Sequence, residues 1–214
     1  AVVATGSEIT QEADGLSSGF RRCSNASYIA ALMSRIGVTD IRTIVVPDDI
    51  RQLTRTLVEL DAVCDVIITV GGTGKGKRDY TRQAVSDAGG VFVGHDTQLD
   101  SPFVTARLPH AGLIGLPGNP LAVMMIVQCV LLESVRSVFH LPEAPAQTVE
   151  AVMTEDIEAG ICGELCVNVN ESAAKPLIKG TGRMRVFDSA RGFVRLNGQG
   201  IKRGERVRVE LFRN

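Results

Sequence analysis

The segment DVIITV, residues 65–70, constrains the fold of this chain more than any other stretch. It is almost wholly apolar and rich in β-branched residues, which is typical of a strand covered on both faces. It runs directly into a glycine-rich loop, Gly71-Gly72-Thr73-Gly74-Lys75-Gly76. A strand of this kind needs helices on both sides of its sheet, so the segment predicts the centre of an α/β domain.

Short β-rich segments alternate with helical patterns around this strand. Further strands are predicted at residues 1–6, 41–46, 91–95 and 112–116, and helices at residues 26–37, 50–63, 81–87 and 119–139. Asn25 is predicted to cap the first helix, Gly37 to end it, and Pro120 to occupy the first turn of the last helix. This alternation indicates a three-layer αβα domain with a mostly parallel sheet, which we assign to residues 1–142.

The pattern changes at residues 141–145, where two prolines and small residues are typical of a linker. Short strands then follow at regular spacing, separated by glycines: TVEAVMT, GELCVNVN, RVFDSARGFVRL and ERVRVELF. Strands of this length and spacing predict a small all-β barrel-like domain over residues 146–214.

Composition excludes several classes of function. A net charge of −1 gives no electrostatic basis for binding nucleic acid or an acidic membrane, and no apolar run is expected to approach the roughly 20 residues of a membrane span. Five scattered cysteines favour a reducing, cytoplasmic compartment, and the lone pair Cys162 and Cys166 favours small strand residues over a zinc site. The start in a predicted strand, without Met, indicates a fragment or a trimmed N-terminus.

Four loops follow the predicted parallel strands and should meet at one edge of the sheet. They comprise residues 5–8, 47–49, 71–81 and 116–120. In an open α/β sheet, ligands bind beyond the carboxyl ends of the strands. The sequence therefore predicts that these loops form one binding site.

The glycine-rich loop, residues 71–76, has the character of an anion cradle. Successive backbone N–H groups and the start of the next helix favour a bound phosphate, and Lys75, Lys77 and Arg78 add cationic donors. The spacing from Gly71 to Lys77 also resembles a P-loop. Because Arg78 stands where a P-loop needs Ser or Thr, the nucleotide triphosphatase alternative is disfavoured.

Three carboxylates, Glu8, Asp48 and Asp79, are predicted at the same edge. Together they are candidate catalytic groups that could hold Mg²⁺ through oxygen ligands or orient a water molecule. For Asp48 the alternative is a cap on the helix that begins near Ile50. The three histidines show no metal-ligand spacing.

Several segments in combination resemble the molybdopterin-binding domain shared by molybdopterin molybdenumtransferases and molybdopterin adenylyltransferases. These segments are TGSEI, SN before a helix, VPDD, DVIITVGGTGKGKRDYT and GLPGNPLAV. The tail resembles the C-terminal β-domain of the transferases, through Gly182, Ser189-Ala190, Gly192-Phe193-Val194 and Gly204-Glu205-Arg206-Val207. The resemblance covers nearly the whole chain.

This resemblance implies a site for molybdopterin or adenylated molybdopterin, with Mg²⁺, and a part in placing molybdate on the pterin. It implies a small-molecule pterin substrate, a homo-oligomer and roles in the site for Glu8, Asp48 and Asp79. The implied binding residues are Thr5, Gly6, Asn25, Gly71, Gly72, Thr73, Gly74, Lys75, Gly76, Thr81, Pro117, Gly118, Asn119 and Pro120.

The sequence departs from the family pattern between the two binding loops. Transferases of this family carry a lysine-bearing Pro-Gly-Lys-Pro stretch there, whereas this chain has LDSPFVTAR at residues 99–107, with Arg107 as its one cation. The sequence also begins without the family's two N-terminal domains, so we expect either that they were cut off or that the protein works without them. Two alternatives therefore stay open: an adenylyltransferase-type activity, which the GGTG and Arg-Asp residues favour, and a non-catalytic molybdopterin-binding or regulatory protein.

Overall fold

A computed structural model describes residues 1–10, 21–72, 80–93, 103–142, 145–177 and 189–213. Its strands and helices, in chain order, are β1 (Val2–Thr5), β2 (Ile9–Thr10), β3 (Arg21–Arg22), α1 (Ser24–Arg35), β4 (Thr43–Val46), α2 (Ile50–Asp61), β5 (Val66–Val70), α3 (Tyr80–Asp87), β6 (Val91–Phe92), β7 (Val104–Arg107), β8 (Gly112–Leu116), α4 (Pro120–Val138), β9 (Thr148–Met153), β10 (Cys162–Asn170), β11 (Ala173–Pro176), β12 (Gly192–Asn197) and β13 (Arg206–Leu211).

The large sheet has the strand order β4-β1-β5-β8-β7-β6. The first four strands in this order run parallel, and β7 is antiparallel to both of its neighbours. The mostly parallel sheet predicted from the sequence is therefore confirmed. β5 lies between β1 and β8 and is buried along nearly its whole length, as its apolar sequence requires.

Helices cover both faces of this sheet. On one face, buried side chains of α2 and α3 pack against the strands. They are Leu53, Leu57 and Leu60 of α2 and Ala84 and Val85 of α3, and the strands contribute Val3, Ile67 and Leu113. The chain moves from β1 to β4 in one direction and from β4 to β5 in the other. Right-handed crossovers in opposite directions place their helices on opposite faces, so α1, which packs on β1 and β4, covers the other face. The three-layer αβα prediction is confirmed.

The C-terminal strands form a closed barrel in the order β10-β11-β9-β13-β12. All its pairs are antiparallel except β11 with β9. Alternate residues fill the interior, among them Met153, Val167, Val194 and Val209. The barrel-like prediction is confirmed. The chain divides into two compact units between Val123 and Met124, inside α4. The division into domains 1–142 and 146–214 stays a prediction.

Three local features differ from what the sequence suggests. The first helix begins at Ser24 after Cys23, so Asn25 lies in its first turn and does not cap it. The cap of α2 is Asp49, whose side chain accepts from Gln52 N at 2.8 Å, and not Asp48. The segment Val104–Arg107, where the sequence predicts no strand, forms β7, because its backbone pairs with β8.

The long apolar helix α4 also corrects an expectation. It has 19 residues and is, by length and composition alone, able to cross a membrane, contrary to the expectation that no run approaches that length. Half of its apolar window is buried inside the protein, as in the core helix of a globular domain. A π-helical turn at Val127–Leu131 separates the α-helical segments Pro120–Ile126 and Leu132–Val138.

Candidate functional site at the carboxyl edge of the parallel sheet

The carboxyl ends of four neighbouring strands meet at one edge of the large sheet. β4 lies on one side of β1, whereas β5 and β8 lie on the other. The connection after β1 leads to β4 on one side, whereas the connection after β5 leads to β6, β7 and β8 on the other, so the gap between β1 and β5 is a topological switch point. Ligands of open α/β sheets bind at such a point, and the loops that the sequence singles out begin there.

Thr5 and Gly71 lie close together at this point. A Cβ on Gly71 would lie 2.7 Å from Thr5 Oγ1 and 2.8 Å from the Thr5 carbonyl oxygen, and its φ is +99°. Thr5 Oγ1 donates to the Val70 carbonyl at 3.3 Å, and Gly71 N donates to the Leu116 carbonyl at 2.9 Å. Only glycine fits at this position. The two hydrogen bonds join the ends of β1, β5 and β8.

Thr81 holds the first two residues of the glycine-rich loop. Its side chain is fully buried, and its Oγ1 donates to the Gly71 carbonyl at 3.1 Å. Its backbone N donates to the Gly72 carbonyl at 3.4 Å, and Gly72 has a φ of +65°. The hydroxyl predicted to bind a ligand is thus directed at the loop backbone.

The Leu-Pro-Gly-Asn-Pro loop, residues 116–120, lies against Gly71. A Cβ on Gly118 would lie 4.0 Å from Gly71 Cα, and Asn25 Nδ2 donates to the Gly118 carbonyl at 3.0 Å. Asn119 Oδ1 accepts from Ala122 N at 3.1 Å, so Asn119 caps α4 and Pro120 opens it. Asn25, Gly118 and Asn119 are therefore held together, and Pro117 is half-buried beside them.

Asp48 and Ser7 join the loops after β4 and β1. Ser7 N donates to Asp48 Oδ2 at 3.4 Å, and Asp48 N donates to Ser7 Oγ at 3.2 Å. Gly6 N donates to the Val46 carbonyl at 3.1 Å, and Glu8 Oε2 would lie 3.1 Å from a Cβ on Gly6. The structure thus brings the exposed carboxylates of Glu8 and Asp48 to neighbouring loops. Sequence reasoning missed Ser7, although it stands beside Glu8 in the same motif.

Five other predicted site residues lie outside the described part of the chain, namely Thr73, Gly74, Lys75, Gly76 and Asp79. The described residues on either side of them are Gly72 and Tyr80, where α3 begins. Within the described ranges, no group of three or more His, Cys, Asp or Glu side chains could hold a metal ion. The predicted Mg²⁺ site depends on Asp79 as its third carboxylate.

Arg107 lies away from this edge. It pairs with Gly112, the first residue of β8, whereas Leu116 at the other end of β8 belongs to the site. Because β7 runs antiparallel, its last residue is carried to the opposite edge of the sheet. The stretch 103–107 therefore brings no cation to the candidate site.

The family model described as a probable molybdopterin binding domain matches residues 1–137. The molybdopterin molybdenumtransferase of Haemophilus influenzae is 26% identical over 125 residues, which cover 58% of this chain and 31% of that protein. Molybdopterin molybdenumtransferase 2 of Mycobacterium tuberculosis is 26% identical over 163 residues, covering 73% and 40%. The chain thus spans less than half the length of these curated relatives.

Solved structures share the fold of the whole chain. The molybdopterin biosynthesis protein MoeA of Pyrococcus horikoshii superposes with a TM-score of 0.83 at 22% identity, covering 100% of this chain and 54% of that one. A molybdenum cofactor biosynthesis protein of Pyrococcus furiosus superposes with a TM-score of 0.66 at 19% identity, covering 99% and 68%. Since the family model matches well over half of the residues, the chain belongs to the family of the probable molybdopterin-binding domain.

Proposed function

We propose that this chain binds molybdopterin or adenylated molybdopterin and takes part in molybdate insertion during molybdenum cofactor biosynthesis. The observation that carries the proposal is the junction of Thr5, Gly71 and Gly118 at the switch point of the sheet. Family membership supplies the ligand class, because the fold alone is compatible with many ligands. We further propose a cytoplasmic homo-oligomer.

The ligand's phosphate would lie against the glycine-rich loop. Gly71 and Gly72 leave no side chain between the backbone and a ligand, and α3 begins just beyond the loop. Backbone N–H groups and the positive end of a helix dipole favour an anion there. Lys75, Lys77 and Arg78 add positive charge in the sequence of the same loop.

The carboxylates would serve the charged part of the reaction. Carboxylate oxygens are the ligands that Mg²⁺ prefers, and Glu8, Asp48 and Asp79 supply three of them. Bound Mg²⁺ would neutralise phosphate charge. Ser7 N donates to one carboxylate oxygen of Asp48, and the other oxygen has no hydrogen-bond partner among the described residues.

A non-catalytic role is the second candidate, and the position of Arg107 favours it. Molybdate is an anion, and an insertion site needs cations near the pterin. Arg107, the one cation of residues 99–107, lies at the opposite edge of the sheet. A protein that binds the pterin without transferring molybdate fits this arrangement. An adenylyltransferase-type activity would instead require ATP turnover without molybdate.

Calorimetric titration of molybdopterin and its adenylate, with Mg²⁺, tests the proposal on the wild-type chain, Asp79→Asn and Asp40→Asn. Asp79→Asn removes a charge at nearly constant volume, so we expect binding in Mg²⁺ to weaken roughly tenfold and turnover to be lost. Asp40→Asn is the matched control, because Asp40 precedes β4 at the other edge, 3.9 Å from Arg42 Nε.

Each result separates the candidates. Preference for the adenylate, with turnover in molybdate, supports insertion, whereas tight binding without turnover supports the non-catalytic role. If neither ligand binds the wild-type chain, molybdopterin binding by this chain is refuted. If Asp79→Asn behaves like Asp40→Asn, Asp79 has no part in the site.

A further inference from the structure

Thr81 has a buried hydroxyl in a position to control the backbone of the glycine-rich loop. It has no exposed surface, and it donates to the Gly71 carbonyl at 3.1 Å. Its backbone N holds the next carbonyl, that of Gly72, at 3.4 Å. Thr81 therefore restrains two successive carbonyl groups at the point where β5 ends.

The direction of a carbonyl also sets the direction of the N–H in the same peptide. The peptide unit is planar and trans, so its C=O and N–H groups point to opposite sides. The preceding peptide shows this geometry: the Val70 carbonyl faces Thr5 Oγ1, and Gly71 N–H faces the Leu116 carbonyl on the other side. By the same geometry, Gly72 N–H points away from Thr81.

This N–H has no acceptor among the described residues. Gly71 N–H is used by Leu116, whereas no described carbonyl or side chain accepts from Gly72. Gly72 has a φ of +65°, and a Cβ there would lie 2.8 Å from Thr81 Oγ1, so the conformation requires glycine. A donor held in this way at the switch point is suited to an anionic oxygen.

We propose that Thr81 is a positioning residue, which does not touch the ligand but holds the Gly71–Gly72 peptide so that Gly72 N–H donates to a phosphate oxygen. The proposal rests on the proposed function, because it needs a phosphate-bearing ligand at this edge. It assigns Thr81 a role different from the ligand contact that the sequence predicts. It also accounts for a fully buried hydroxyl beside a glycine of positive φ.

The test uses ¹⁵N-labelled chain titrated with inorganic phosphate, followed by the amide signal of Gly72. We expect a downfield shift of the Gly72 amide proton in the wild type as the N–H donates to a charged phosphate oxygen. Thr81→Val keeps the shape and removes the hydroxyl. It should lose this shift and bind phosphate roughly tenfold more weakly, whereas Thr81→Ser should restore both.

Thr69→Val is the matched control. Thr69 is equally buried, and its hydroxyl has no hydrogen-bond partner among the described residues. Its removal should leave the phosphate affinity and the Gly72 shift unchanged. The control separates the loss of one particular hydrogen bond from the general effect of replacing a buried threonine beside the site.

Two outcomes overturn the proposal. The first is a folded Thr81→Val chain that binds phosphate and shifts Gly72 as the wild type does. The second is a wild-type chain that binds molybdopterin without any change at Gly72, and this result holds even if Thr81→Val does not fold. Absence of molybdopterin binding to the wild type instead refutes the proposed function itself.

Discussion

Thr69 carries a hydroxyl group that the fold leaves without a partner. It lies one residue before the end of β5, in register with Val3 and Gly115, and its side chain is fully buried. Its Oγ1 has no hydrogen-bond partner among the described residues, whereas the hydroxyls of Thr5 and Thr81 each hold a carbonyl. A buried donor without an acceptor opposes folding, because its hydrogen bond to water is lost.

Thr69→Val should therefore stabilise the chain. The substitution keeps the β-branched shape and removes the unpaired hydroxyl, so we expect the free energy of unfolding to rise by about 1 kcal/mol. Urea denaturation at constant m-value measures it. Thr81→Val should shift the midpoint in the opposite direction. A loss of stability in Thr69→Val would show that its hydroxyl has a partner in the folded protein.

The hydrogen bonds of Asn25 and Thr81 could not be predicted from the sequence. The family resemblance implies that Asn25 and Thr81 contact the ligand, and both lie beside the loops of the candidate site. The Asn25 amide and the Thr81 hydroxyl, however, are engaged by the Gly118 and Gly71 carbonyls. Such hydrogen bonds join residues far apart in the sequence, so no local sequence pattern predicts them. The glycines were easier, since a close backbone approach leaves few other residues possible.

At the scale of elements, the start of α2 offers a direct test. Asp48 and Asp49 are adjacent and both suited to a cap, but only Asp49 accepts from Gln52 N. Asp49→Ala should lower the free energy of unfolding by about 1 kcal/mol. Asp48→Ala should have a smaller effect on stability and a larger one on ligand binding. Urea midpoints of the two variants measure this, and equal losses would contradict the assignment of the cap.

The strands show why some elements could be predicted and one could not. The sequence predicts GLIGL at residues 112–116 with its observed bounds, because an apolar run of this length between turns is too short for a helix and favours a strand. β7 was missed. Its four residues, VTAR, follow a polar segment and alternate between buried and less buried positions. Its pairing with β8 and β6 makes it a strand, and the antiparallel register with β8 places Arg107 at the far edge.

At the scale of the whole molecule, the cysteines report on the integrity of the C-terminal unit. Cys162 is exposed and Cys166 is buried, although both lie in β10. Burial raises the pKa of the Cys166 thiol to about 12, and burial also raises that of Cys129 in the π-helical turn. Thiols react as thiolates, so a raised pKa and burial both slow their modification.

In the native chain at pH 8, we therefore expect Cys162 to be alkylated readily and Cys166 and Cys129 to be protected. In denaturant all three should react at similar rates, because the protection comes from the fold. Mass spectrometry of the digested protein assigns each modification. Equal rates for Cys162 and Cys166 in the native chain would mean that the barrel opens on the timescale of the reaction.

The barrel has its first and last strands paired with each other, β9 with β13. During synthesis on the ribosome, every strand of the large sheet has been made once Leu116 has left the exit tunnel. β9 and β12, by contrast, cannot complete their pairing until β13 has been made, and the last residue of β13 is Leu211. Until then both expose unpaired backbone edges, which favour association with other nascent chains. The barrel can therefore close only after its last strand has left the ribosome, and the exposed edges of β9 and β12 persist for that interval.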